Sequence, residues 1–251
     1  MELWSIWYWC VAQLRPAFSR QRTFLWALLA LAGLSIRQDL LGVTSIVRAL
    51  GLKDLAYRSL LNNFHSRAID AEELNRRWLG LVLRIFKPVT QGQYIFLLLD
   101  GLKVAKEGKK MPGVKCLHQE SNDNSKAPYV MGHSLQCLAL LAKGTTGSMA
   151  AVPLLAQIHE GIVWSNRDQR TLNDKAAALI FELRAVTKKA LLVIADAYYC
   201  NAKFLTAIVN AGCHVISRVR DNASAYYLPE MPLEKKRGRP KKYGEKVVLA
   251  S

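Results

Sequence analysis

At 251 residues, about half of them apolar, the chain is long enough to bury a core in one large domain or two small ones. Lys and Arg number 35 against 19 Asp and Glu, giving a formal charge of +16 and a pI near 9.8, so a polyanionic partner is expected, with DNA and RNA not separated by charge alone. Five scattered cysteines, Cys10, Cys116, Cys137, Cys200 and Cys213, give no disulfide framework and no zinc knuckle, and the apolar stretch 23–36 falls short of the roughly 18 to 20 residues a membrane span needs.

In chain order, residues 1–90 read as a helical region. Phe24 to Leu29 predicts one helix, and Leu55, Leu60, Leu61 and Phe64 predict another by their spacing. Glu73 to Phe86 predicts a third. Thr44 to Leu50, then Gly51, then Asp54 to His65 can be a helix-turn-helix that presents its second helix to a major groove, or two helices of a plain bundle. The turn formers of Lys87-Pro88 through Gly92 mark a boundary, and a second region, 91–228, begins with a different periodicity. Tyr94 to Leu99 is a continuous apolar run of strand length that ends at Asp100. Lys106 to Ser125 is polar and predicts a loop or hairpin; Tyr129 to Ala142 and Met149 to Gln157 predict strands.

Thr171 and Asp174 have capping-box spacing ahead of an apolar stripe, Leu172, Ala176, Leu179, Ile180, Leu183 and Val186, that predicts a helix ending at Lys188-Lys189. A second wholly apolar run, Ala190 to Ala195, ends at Asp196. Asn201 is placed to cap a helix running to Gly212, and Cys213 to Val219 returns as a strand. Strands alternating with helices predict an α/β layer fold with a mixed or parallel sheet. The tail, 229–251, carries Lys235, Lys236, Arg237, Arg239, Lys241 and Lys242 around Gly238 and Pro240, and reads as an extended basic arm. Such an arm can hook into a minor groove or remain a solvated loop.

Asp100 and Asp196 carry the chemistry. Each follows a buried-type apolar run, which places it at the carboxyl end of a strand, where open α/β sheets build their sites. Two carboxylates brought together repel, and a hard divalent cation such as Mg²⁺ (or Mn²⁺) relieves this by taking oxygen ligands from both. Phosphoryl transfer on a polyanion fits both the pair and the surplus charge. An Asp after a strand is also a common helix cap, and that reading stands beside the catalytic one. His118 and His133 read as ordinary loop or strand histidines, and Tyr198 and Tyr199 as packing residues or as stacking partners for a flipped base. No phosphate-cradling glycine motif occurs, which argues against a nucleotide cofactor.

Asp100-Gly101-Leu102-Lys103, Lys106 to Val114, Tyr129-Val130-Met131-Gly132-His133 and Ala195-Asp196-Ala197-Tyr198-Tyr199 resemble bacterial insertion-sequence transposases of the DDE class, over about residues 91–243. The resemblance implies an RNase H-like core in which Asp100 closes the first strand and Asp196 the fourth, both as catalytic metal ligands. It implies double-stranded DNA at element ends as partner and a cytoplasmic, nucleoid-associated setting. The helical front part then corresponds to an accessory DNA-binding and dimerisation region, which allows a homodimer. Lys106, Lys109, Lys110, Arg218 and Arg220, with the basic tail, are the expected DNA contacts. The family's third acid is a glutamate on a later helix, and no such segment is found within these residues; Glu230, Glu234 and Glu245 sit in the tail. The sequence as written is therefore expected to hold metal weakly and not to cut, with Ile95, Leu97 or Val193 exposed for want of that helix. A non-catalytic DNA-binding remnant or regulator is the alternative.

Overall fold

The computed structural model describes residues 2–39, 42–106, 108, 111–118, 127–159, 170–220, 223–229 and 241–249. The chain divides into two compact units, Met1–Lys87 and Pro88–Ser251.

The first unit is helical: α1 (Leu3–Ala12), α2 (Gln21–Ile36), α3 (Val43–Ala49), α4 (Leu55–Phe64) and α5 (Ala71–Ile85). Helices α2, α3 and α4 pack on one another around Ala30, Ile46, Val47 and Leu60. Between α3 and α4 the chain turns at Gly51, whose φ of 60° lies in the left-handed region that only glycine enters without cost. Helix α5 begins at Asp70, which caps the Glu73 N–H, and Glu73 in turn pairs with Arg76 and Arg77 one turn on. Helix α1 escapes the sequence reading because its apolar residues run all round it and leave no periodic stripe.

The second unit is the expected α/β fold, a mixed sheet flanked by helices. Two-residue strands β1 (Lys87–Pro88) and β2 (Thr90–Gln91) precede β3 (Tyr94–Ala105). Next come β4 (Lys115–His118), β5 (Tyr129–Lys143), β6 (Met149–His159), helix α6 (Leu172–Thr187), β7 (Ala190–Ala195), helix α7 (Ala202–Asn210) and β8 (His214–Ser217). Across the sheet the order is β6, β5, β3, β7, β8: the first three run antiparallel, and β3, β7 and β8 run parallel. Parallel neighbours need a crossover between them, and α6 and α7 supply it.

Helix α6 starts where its sequence predicts, with a complete capping box: the Thr171 hydroxyl accepts from the Asp174 N–H and the Asp174 carboxylate accepts from the Thr171 N–H. Its Ala176, Leu179, Ile180 and Leu183 are buried, as are Leu97, Leu138, Leu140, Leu191 and Val193 on the sheet. In register these strand residues share one face, here called the inner face, and α6 packs on it over β5 and β6. The strands cross so closely there that a Cβ on Gly132 would sit 2.3 Å from the Val104 carbonyl oxygen. Only glycine fits.

Three expectations are corrected. Asp100 does not end its strand: β3 runs on to Ala105, because β5 keeps pairing with it after the parallel pairing with β7 has stopped at Leu99. Ile95, Leu97 and Val193 do not meet water; they point to the inner face and are at most 3% exposed. The last described residues are not an extended arm. Strand β10 (Lys246–Val248) pairs antiparallel with β9 (Ser224–Tyr226), and Gly244 donates to the Tyr227 carbonyl beside that pairing. The basic run Lys235, Lys236, Arg237 and Arg239 lies outside the described residues, as do Lys109, Lys110, Glu230 and Glu234.

Candidate active site

Strands β3 and β7 are neighbours, with Leu97 opposite Val193, Leu98 opposite Ile194 and Leu99 opposite Ala195. One step further along both strands stand Asp100 and Asp196. Alternation places them on the same face, the one opposite α6, together with Leu98 and Ile194. Neighbouring strands lie about 4.8 Å apart, so the two carboxylates rise from adjoining backbones. Both residues are exposed.

Each aspartate is held by its own backbone. The Gly101 N–H donates to Asp100 Oδ1 at 2.7 Å, and the Tyr198 N–H donates to Asp196 Oδ1 at 3.0 Å. Asp196 is thus the cap of a short 3-10 turn, Ala197–Tyr199, and the capping reading of this residue is realised. A carboxylate has a second oxygen, so a cap does not exhaust it. The Asp196 backbone is also pinned from β8: the Ser217 hydroxyl donates to its carbonyl at 2.7 Å. Beyond β8, Arg220 Nε donates to the Ala197 carbonyl at 3.2 Å. Arg218 and Arg220, two of the expected DNA contacts, are exposed on the segment that leaves β8 beside Asp196.

The negative pair leaves an electrostatic mark on its surroundings. Cys137 lies directly opposite Asp100 in β5, and burial, then the Asp100 charge, push its thiol up, so it stays protonated. Tyr199 is pushed far above the usual phenol range, first by burial and then by Asp100 and Asp196. It is 1% exposed, while its neighbour Tyr198 is 41% exposed. Tyr199 therefore packs, between Tyr198 and Phe204, rather than offering a stacking surface.

Other expected residues are engaged elsewhere. His118 stacks edge-on against Tyr129, and His133 Nε2 meets the Pro112 carbonyl at 2.9 Å. Lys106 is half-buried, its backbone N–H bonded to the Met131 carbonyl. Lys241 and Lys242 are exposed ahead of β10, Lys242 lying over the Tyr243 ring.

Sequence reading misses a polar row on the inner face. Gln136, Ser134 and His159 are all buried there, and Lys115 Nζ donates to His159 Nδ1 at 2.6 Å. Lys115 is held below its usual range by burial and then by the charge of Lys175 on α6. The available signal was alternation within β5, where Ser134 and Gln136 fall in phase with Leu138 and Leu140.

Two hard carboxylates, open to water, suit Mg²⁺ or Mn²⁺, which keep several waters and take one or two protein carboxylates. Among the described residues no group of three or more His, Cys, Asp or Glu side chains is arranged to hold a metal. The pair thus fits as two ligands of such an ion.

Comparison with protein families settles the broader class: the family model of DDE superfamily endonucleases matches residues 13–251. The chain belongs to that family. Endonucleases of this family generally use divalent metal ions. Among solved structures, the piggyBac transposase synaptic complex with hairpin DNA is similar at 14% identity and a TM-score of 0.41, over 93% of this chain and 50% of that one. The chain spans about half the length of that transposase. No curated protein matches. No helix among the described residues is long and apolar enough to cross a membrane.

Proposed function

We propose that this DDE-family chain carries the metal-binding heart of a transposase, with Asp100 and Asp196 as ligands for Mg²⁺ or Mn²⁺ and double-stranded DNA as substrate. One observation supports this above the others: the two aspartates stand one step past the last paired residues of adjoining parallel strands, on the same face. When bound there, the ion supplies Lewis acidity to a phosphodiester. The chain's own residues do the rest. Asp100 and Asp196 place the ion at the sheet edge. Arg218 and Arg220, on the segment beside Asp196, bind the phosphates flanking the reacting one. Lys106, with Lys109, Lys110 and the run Lys235 to Lys242, attracts the duplex by charge, as part of the net +16. The setting is an insertion-sequence element, as the likeness of residues 91–243 implies.

The test is a supercoiled-plasmid nicking assay in Mg²⁺ and Mn²⁺ with the chain, Asp100→Asn and Asp196→Ala. Nicking by the first and by neither variant supports the enzyme. Duplex binding without nicking by any of the three supports the non-catalytic DNA-binding reading. A salt titration accompanies it: removing 235–242, which holds six basic residues, flattens the salt dependence by roughly 0.9 in slope for each phosphate no longer neutralised.

A further inference from the structure

The turn after Asp196 reaches across the sheet. Tyr199 ends that turn, and its hydroxyl donates to Gln136 Oε1 of β5. Gln136 is paired in register with Gly101, the residue after Asp100. The bond therefore spans from the end of β7 beneath β3 to β5, passing under the strand that carries the first aspartate. Its two side chains are 1% and 2% exposed, so neither can exchange its partner for water without opening the core. They lie against the Gly101 backbone, where a Cβ would come within 3.4 Å of Gln136 Nε2 and 3.7 Å of the Tyr199 hydroxyl. Ser217 anchors the Asp196 carbonyl from β8 on the other side. Tyr199 is thus the tie between the segment of Asp196 and the strand pair of Asp100.

We propose that Tyr199 and Gln136 are positioning residues: their hydrogen bond sets the separation of Asp100 and Asp196 and thereby the affinity of the pair for a divalent ion. The inference rests on the metal reading above. Neither side chain touches the ion. Partners one layer out from metal ligands typically change affinity 10- to 100-fold when removed, and this bond acts through the backbone of both ligands, so the lower end applies.

The experiment is Mn²⁺ binding by titration calorimetry on the full chain, well below its melting temperature. Tyr199→Phe keeps the ring against Phe204 and deletes only the hydroxyl; Gln136→Met keeps the volume and deletes the acceptor. Each is expected to weaken Mn²⁺ binding about 10-fold, and the double variant no more than either alone, because both remove one bond. Tyr129→Phe, exposed at the start of β5, leaves the affinity unchanged. A Tyr199→Phe chain with a lowered melting temperature and an unaltered Mn²⁺ Kd would show a purely structural bond and overturn the proposal. So would additive effects in the double variant. Asp100→Asn and Asp196→Asn are run alongside: if neither weakens Mn²⁺ binding, the metal reading itself fails and this inference with it, a result distinct from an intact dependence on both aspartates that ignores Tyr199.

Discussion

Leu97 and Leu98 are consecutive in β3, yet Leu97 is fully buried on the face that α6 covers and Leu98 is half-exposed on the face of the two aspartates. The same contrast repeats in β7 between Val193 and Ile194. Period-two alternation turns one strand into two surfaces, one that holds the fold and one that holds the candidate site. A metal site needs water and access, and a core needs neither. The division lets residues on the open face change without cost to the packing on the other.

Five measurements bear on that contrast. The largest effect is expected for Leu97→Ala, which leaves a cavity beneath the best-packed part of the sheet and lowers the unfolding free energy by about 2 to 5 kcal/mol in a denaturant titration. A loss under about 1 kcal/mol would mean that the inner face is not the stabilising one. Thr171→Ala removes the cap of the helix that covers this face, for a loss of about 1 kcal/mol. Its partner Asp174 is held at about 2, below the ordinary 3.8, by Lys203 first and then by Thr171. A depressed folded value contributes stability above the unfolded value and loses it as pH falls through the folded one. The deficit of Asp174→Asn in melting temperature should accordingly be present at about pH 5 to 7 and shrink from about pH 4 towards pH 2. On the open face, Leu98→Ala is expected to lose less than about 1 kcal/mol, since a half-exposed side chain leaves no closed cavity. The smallest effect is that of Asp100→Asn, within about 0.5 kcal/mol, because the side chain is exposed and the amide oxygen can still accept from the Gly101 N–H. A large destabilisation there would place Asp100 in the fold rather than in the site.

Much of the second unit was legible because its signals are local. The capping box at Thr171, the Asn201 cap and the apolar runs before Asp100 and Asp196 each state a boundary within a few residues. What lay beyond reach depends on distant partners. The continuation of β3 to Ala105 is decided by β5, much later in the chain, through pairs such as Val104 with His133. The pairing of Ser224–Tyr226 with Lys246–Val248 joins residues on either side of a basic run that reads as an open arm. Gln136 looked like any polar residue until the register set it beneath Gly101. The sequence already reads the two aspartates as a pair; that they share a face follows from the parallel register.

That register has a consequence for the order of events during synthesis. Asp100 and Asp196 are separated by 96 residues (196 − 100), and β3 pairs with β7 only after both have emerged. At about 5 to 20 residues per second, the nascent chain carries the first aspartate for roughly 5 to 20 s before the second is even translated. Helix α6 must also form and dock before that pairing closes, since it is the crossover that brings β7 alongside. Under the proposed function, the positive charge of the helical unit is translated first, so a growing chain can meet nucleic acid well before it owns a complete carboxylate pair. Under the same proposal, metal binding is thereby deferred until the sheet has closed.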